Sequence, residues 1–424
     1  MNIVMITNTY LPMLGGVAKS VDRFVREYRK SGHDVLVVAP TFEGAKNSEP
    51  GVVRVPAIQN FNGSDFSVAL PVPLLLKNAL DDFKPDIIHS HHPFLLGDVA
   101  LRQAASRQLP LVFTHHTMYE HYTHYVPGDA DVLQALAREM CAVYAGRCDH
   151  VIAPSSSVKE VLHDHDVETP ITVIPTGVDT EQFASGDGAA FRREHDIPDE
   201  AFVVGHLGRL APEKNLRFLT EAAIGFLQSR KQAHLLVVGD GPERETLADM
   251  TADAGVADRT HLTGALDGQK VVDAYHAMDV FAFASKSETQ GMVLVEAMAA
   301  GTPVVALEAF GVCDVLRDRE NGVLVRKEYA TAFVEGLEWV ASRNKKTRAA
   351  LRKSAFATAS EFTVKQCAYK ALEVYKAAIL DAPRDRDDEF PQWAGLLRAM
   401  EEQWKLWSDR ISAATEAIQK GGEE

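Results

Sequence analysis

The chain is poor in cysteine, poor in aromatic residues and short of positive charge, and it has no long apolar run. Its four cysteines, Cys141, Cys148, Cys313 and Cys367, form neither a metal-ligand cluster nor a disulfide framework. A reduced, cytosolic protein is the simpler reading. No stretch of eighteen or more apolar residues occurs, so no membrane-spanning helix is expected. The apolar start, Asn2-Ile-Val-Met-Ile-Thr7, is too short for a signal peptide and lacks a basic beginning and a cleavage site, so it reads as a first strand. Lys and Arg number 44 against 59 Asp and Glu, a net charge of −15, which argues against a nucleic-acid partner. Attraction to an anionic membrane would need a local patch. What the chain does have is length and apolar content: 424 residues, 46% hydrophobic, enough for two domains with their own cores.

Short β-branched runs alternate with helical patterns throughout, the signature of βαβ units and a parallel sheet. The first half predicts strands near 2–7, 34–39, 52–56, 86–89, 110–114, 149–153 and 171–174. Its first helix, Val17–Lys30, carries Val17, Val21, Phe24, Val25 and Tyr28 on one stripe. A polar segment near 184–200 reads as a linker. The alternation then resumes, with strands near 201–207, 234–239, 259–262, 279–283, 303–306 and 322–325. The fold class is α/β: two Rossmann-like domains, 1–185 and 200–360, facing across a cleft, then a helix over 361–381 packing back on the body. Residues 382–424 predict an amphipathic helical tail, with Trp393, Leu396, Leu397, Met400, Trp404, Trp407 and Ile411 at helical spacing. Its polar face mixes signs, which favours docking on the protein's own body or on a second copy, a homodimer, over docking on a membrane.

Five segments carry candidate chemistry. Glu288-Thr-Gln-Gly-Met-Val-Leu-Val-Glu296 places two carboxylates eight residues apart around a glycine turn that opens a helix. Eight residues is a little over two helical turns, so both side chains are expected near one face, about 12 Å apart along the axis. A helix N-terminus at Gly291 would offer amides to an anion. The bland alternative is a Glu that merely complements the helix dipole. Gly208-Arg-Leu-Ala-Pro-Glu-Lys-Asn215 follows a strand and sets Arg209 and Lys214 where a pyrophosphate would sit. Tyr10-Leu-Pro-Met-Leu-Gly-Gly-Val17 occupies the equivalent turn of the first half, with Gly15 and Gly16 permitting close backbone approach or simply a tight loop. Val237-Val-Gly-Asp-Gly-Pro-Glu243, around Gly239, is a further glycine turn after a strand. His89, His91, His92, His115 and His116 end two strands, and His121 and His124 follow. No matching Cys or carboxylate set and no HExxH accompanies them, so they read as hydrogen-bonding groups facing a cleft, with no metal.

Taken together, these residues resemble the retaining glycosyltransferases of family 4, which have the GT-B architecture. The resemblance covers about residues 1–380. It rests on Gly15-Gly16, His116 in Phe113-Thr-His-His-Thr117, Ile174-Pro-Thr-Gly-Val-Asp179, Arg209 with Lys214, Val238-Gly-Asp-Gly-Pro242 and Glu288 with Glu296. It implies that Glu288 binds donor-sugar hydroxyls and Glu296 the ribose, while Arg209 and Lys214 neutralise the departing diphosphate. It further implies backbone contacts from Gly16, Gly291 and Met292, a donor-binding glycine turn at Gly239, a turn at Thr263 near the base, and His116 against the donor sugar. No cofactor or metal is expected. The segment from His116 to Pro127 is similar to the diacylglycerol glucosyltransferases of the family. That implies a UDP-glucose donor, a lipid or glycan acceptor and peripheral contact at the inner face of the cell membrane. Lys19, Arg23, Arg26, Arg29 and Lys30 supply a modest basic patch, and the run from Leu70 to Leu76 could enter lipid or core. A nucleotide-sugar epimerase and a non-catalytic nucleotide-sugar sensor are the rivals from other classes.

Overall fold

A computed structural model describes residues 1–13, 15–42, 44–45, 49–58, 68–69, 73–120, 130–286 and 288–381. The readings made for His121, His124, residues 70–72 and the tail from 382 lie outside the described residues. In chain order the first half gives β1 (Asn2–Ile6), α1 (Gly16–Lys30), β2 (Asp34–Pro40), β3 (Val52–Val55), the short β4 (Ala57–Ile58) and β5 (Val68–Ala69), and α2 (Pro73–Phe83). It continues through β6 (Ile87–Ser90), α3 (Leu96–Arg107), β7 (Leu111–Thr114), α4 (Ala130–Gly146), β8 (His150–Ala153), α5 (Ser156–Asp164), β9 (Ile171–Val173) and α6 (Thr180–Phe183). The second half gives α7 (Gly188–Glu194), β10 (Phe202–Leu207), α8 (Leu216–Ser229), β11 (Ala233–Val238), α9 (Arg244–Asp253), β12 (Thr260–Gly264), α10 (Gly268–Ala277) and β13 (Val280–Phe283). Then come α11 (Met292–Ala299), β14 (Val304–Leu307), β15 (Gly322–Val325), α12 (Ala330–Ala341), α13 (Lys345–Ala359) and α14 (Val364–Asp381).

The strands assemble into two sheets. One has seven strands in the order β3-β2-β1-β6-β7-β8-β9; the other has six in the order β12-β11-β10-β13-β14-β15. Every neighbouring pair in both is parallel. Helices cover both faces, so central strands such as β14 are buried at every position and read as continuous apolar runs. Strand order reverses between β1 and β6 in the first sheet and between β10 and β13 in the second. Open parallel sheets bind ligands beyond the strand ends at such points. The turns after β10 and β13 are the two that carry Arg209 with Lys214 and Glu288 with Gly291.

Four apolar clusters hold the layers. In the first domain Leu80, Ala100, Tyr144 and Val158 pack one sheet face, while Val21 and Tyr28 of α1 meet Leu372 and Tyr375 of α14 on the other. The last described helix therefore returns to the first domain, where the Tyr28 hydroxyl donates to the Tyr375 hydroxyl at 3.1 Å. In the second domain Tyr275, Leu294 and Val295 pack one face and Phe226, Leu247 and Phe333 the other.

One expectation changes. The polar segment read as a linker contains α7, whose Asp187 side chain caps the Ala190 amide at 2.8 Å. Phe191 and Ile197 enter the same cluster as Met278, and Arg192 pairs with Asp279 at 2.9 Å. Burying only two apolar residues leaves a mostly polar segment, which resembles a linker in sequence although it is packed. Leu76, at the end of the run offered to lipid or core, lies in the first-domain core. Among the described residues no helix is long and apolar enough to cross a membrane.

Candidate active site

The second domain supplies a charged rim. After β10, a 3-10 turn over Pro212–Lys214 ends in the left-handed residue Asn215, which starts α8. This aims Lys214 at the neighbouring turn, where its Nζ meets Glu288 Oε2 at 3.1 Å. Arg209, five residues earlier, is exposed and makes no ion pair or side-chain hydrogen bond to any described residue. After β13, Gly291 adopts φ 71° and caps α11. A helix start leaves its leading amides without intrahelical acceptors, so those of Gly291, Met292 and Val293 are not used within α11. His206, at the end of β10, is buried and neutral. Its Nδ1 reaches Ala282 O at 3.1 Å, and burial, with help from the Lys214 charge, pulls its pKa down to about 4.

The two carboxylates do not share a helix face. The left-handed turn at Gly291 breaks the helix before Met292, so Glu288 lies in the loop and helical spacing applies only to Glu296. Glu296 is buried on α11, where Oε1 accepts from Arg23 Nη2 at 2.9 Å and Oε2 from the Tyr275 hydroxyl at 3.2 Å. Arg23 also donates to Gly177 O at 3.0 Å. Burial first, and the Glu296 charge second, push the Tyr275 hydroxyl far up in pKa. Arg23, counted in the basic patch of α1, turns its guanidinium inward to this carboxylate.

The first domain supplies the opposite wall. Gly15 caps α1 and Gly16 begins it, and neither would bring a Cβ within 4 Å of another residue. The histidines at the ends of β6 and β7 are interlinked. His92 Nδ1 accepts from the Asn8 amide at 3.1 Å, His89 Nε2 meets the Thr114 hydroxyl at 2.7 Å, and His91 Nδ1 meets His116 Nε2 at 2.9 Å. Burial holds all of them neutral: His89 and His92 fall to about 3 and His115 to about 4. His91 and His116 also lie well below the usual range, through burial first and neighbouring imidazoles second.

The two walls touch. Thr289 Oγ1 donates to His116 O at 2.9 Å, and the Thr176 amide donates to Gln290 Oε1 at 2.8 Å. Lys214, Glu288, the start of α11 and His116 thus belong to one constellation, with Arg209 in the same turn as Lys214. Gly239 and Thr263 stand at its side. The Gly239 amide is spent on Gly264 O at 2.9 Å, and the Thr263 hydroxyl bends to Gly264 O at 3.0 Å. Tyr275, Thr289 and Gln290 escaped sequence reasoning, and Arg23 and His91 were read only as members of the basic patch and of the histidine row. Thr289 and Gln290 lie inside the quoted motif, but the motif does not say which wall they face; the others pair with residues remote in sequence. Among the described residues no three His, Cys, Asp or Glu side chains are arranged to hold a metal ion.

Paired parallel-sheet domains, with a cation, carboxylates and a helix N-terminus at the reversal point of one and histidines at the strand ends of the other, suit a glycosyltransferase, the class that the matching family models describe. The chain belongs to glycosyltransferase family 4: residues 14–182 match the family described as Glycosyltransferase Family 4 and residues 187–358 the one described as Glycosyl transferases group 1. The chain is 29% identical to the alpha-monoglucosyldiacylglycerol synthase of Streptococcus pneumoniae over 80% of this chain and 78% of that protein. It is 30% identical to a GDP-mannose-dependent alpha-mannosyltransferase of Corynebacterium glutamicum, with 80% of each covered. The fold matches that of Anabaena HepE in complex with UDP at a TM-score of 0.72 and 21% identity, covering 89% of this chain and 100% of that one.

Proposed function

We propose that the enzyme is a retaining, metal-independent hexosyltransferase that moves glucose from UDP-glucose to a membrane lipid such as diacylglycerol, working at the inner face of the cell membrane. The donor diphosphate lies against Lys214, Arg209 and the α11 amides, with the Gly16 turn closing from the other domain. Glu288 accepts from donor-sugar hydroxyls. Glu296 takes the ribose hydroxyls on the lone pairs that Arg23 and Tyr275 leave open. Gly239 shapes the floor, Thr263 borders the base and His116 meets the sugar. The bond between the anomeric carbon and the bridging phosphate oxygen breaks as the acceptor oxygen bonds to that carbon on the same face, and the acceptor proton passes to that departing phosphate oxygen. Cations and amides preset around a leaving diphosphate are most effective in a closed, dry site.

The carrying observation is the Lys214–Glu288 pair one residue from Thr289, which is itself tied to His116 across the domains. The names of the pneumococcal relative and of a second one from Acholeplasma laidlawii favour glucose and diacylglycerol. A second reading, mannose from GDP-mannose, is favoured by the corynebacterial relative at equal coverage. The test is a UDP- and GDP-release screen over several donors with diacylglycerol vesicles, a soluble glycan or no acceptor. The expected result is UDP release from UDP-glucose that depends on the vesicles. GDP release from GDP-mannose would replace the donor, release with the glycan alone would replace the acceptor, and donor conversion without acceptor would point to an epimerase.

A further inference from the structure

Of the histidines that the proposed reaction leaves unused, His91 is the one that touches His116 through a ring nitrogen. His91 is 1% exposed, its ring lies 4.1 Å from that of His89 and 5.2 Å from that of His116, and its Nδ1 is 2.9 Å from His116 Nε2. Its other nitrogen, Nε2, is buried with no hydrogen-bond partner. His89 is occupied elsewhere, by the Tyr375 hydroxyl at Nδ1 and the Thr114 hydroxyl at Nε2.

With both rings neutral, one proton lies between His91 and His116, and its owner fixes both tautomers. If His116 donated it, His91 would carry its own proton on Nε2, a buried N–H without an acceptor. Orphaned buried donors are rarer and costlier than bare acceptor lone pairs. If His91 donates from Nδ1, its Nε2 is only a bare lone pair, and His116 Nε2 is an acceptor. His116 must then carry its proton on Nδ1, the nitrogen that makes no hydrogen bond to any described residue. The neighbouring backbone is fixed as well, because Thr289 holds the His116 carbonyl. A neutral imidazole has one donor and one acceptor, and the partner on one nitrogen sets the other.

We propose that His91 is a positioning residue: its Nδ1–H holds His116 in the Nδ1–H tautomer, so that His116 presents a hydrogen-bond donor to a hydroxyl of the donor sugar. The sugar contact rests on the function proposed above; the tautomer does not. An Asn side chain can place an N–H near the Nδ1 position, whereas Gln places its amide near Nε2.

The experiment uses the full chain with His91→Asn, His91→Gln and His91→Leu, each checked for folding by thermal unfolding. Side-chain 15N spectra of histidine-labelled protein report the His116 tautomer, assigned by difference from His116→Gln. Donor turnover is measured alongside. The expected result is the Nδ1–H form in wild type and His91→Asn, and a shift toward Nε2–H in His91→Gln and His91→Leu. Turnover number is expected to fall about 10- to 100-fold in the latter two, with the donor KM moving less and His91→Asn recovering most of it. If His91→Leu does not fold, the Asn and Gln variants decide. An Nε2–H tautomer in wild type, or equal tautomers and equal turnover in the Asn and Gln variants, would overturn the proposal. Absence of turnover in wild type with the tautomers as expected would instead count against the donor reading and leave the His91 assignment standing.

Discussion

Gly15 and Gly16 in the first domain, and Gly239 in the second, all follow parallel strands, but a Cβ added to each would meet different surroundings. At Gly239, with φ +140°, it would lie 1.8 Å from Gly208 O. At Gly15 and Gly16 it would meet nothing within 4 Å. In the second domain the missing side chain lets two post-strand turns of the protein touch. In the first, the described residues place no demand on it, and the open space is left for something outside the fold, which in our reading is the donor diphosphate. A glycine turn after a strand is therefore an ambiguous signal until its neighbours are known.

The domains also differ in buried imidazoles, and acid should separate them most strongly. The first holds His89, His91, His92, His115 and His116, all neutral; the second holds His206, with the paired His234 and His261 adding a smaller share. Each has a depressed native pKa, so its contribution is intact above the unfolded value of about 6.5 and is lost as pH falls toward the native value. The slope is at most about 1.4 kcal/mol per pH unit for each fully buried ring. Between pH 7 and pH 5.5 the first domain should lose hydrogen-exchange protection, after correction for intrinsic rates, before the second. Equal losses would break the comparison.

The glycines sharpen it further. Gly239→Ala forces a backbone clash and should cost more than about 3 kcal/mol, visible as a fall in melting temperature. Gly16→Ala should change stability by less than about 1 kcal/mol, because it stands at a helix start in open space. Its turnover should still fall about tenfold or more if the diphosphate approaches that turn. A variant with full activity would return Gly16 to the status of an ordinary loop residue. The smallest effect is the one expected from chelation: activity measured in EDTA should match activity without it, and loss restored by Mg2+ or Mn2+ would contradict the metal-free mechanism.

Much of the architecture was legible because buried parallel strands leave apolar runs, such as Val304–Leu307, that punctuate the chain. Lys214 and Glu288 could be placed after strands, but nothing local showed that those strands are neighbours; that follows from the order β10-β13. The pair Glu288 and Glu296 misled on geometry, since one left-handed glycine separates loop from helix. Partners of Glu296 were illegible because Arg23 lies 273 residues away. The helix α7 was missed because Phe191 is its one buried apolar side chain besides the small Gly188, too little to show a period.

Calorimetric titration of UDP into wild type and the Arg209→Ala/Lys214→Ala variant tests the shared site most directly. Two charge-assisted contacts to a diphosphate predict an affinity loss of about 100-fold or more in a variant that keeps its melting temperature. An affinity within about twofold of wild type would remove the diphosphate from the turn after β10 and contradict the account.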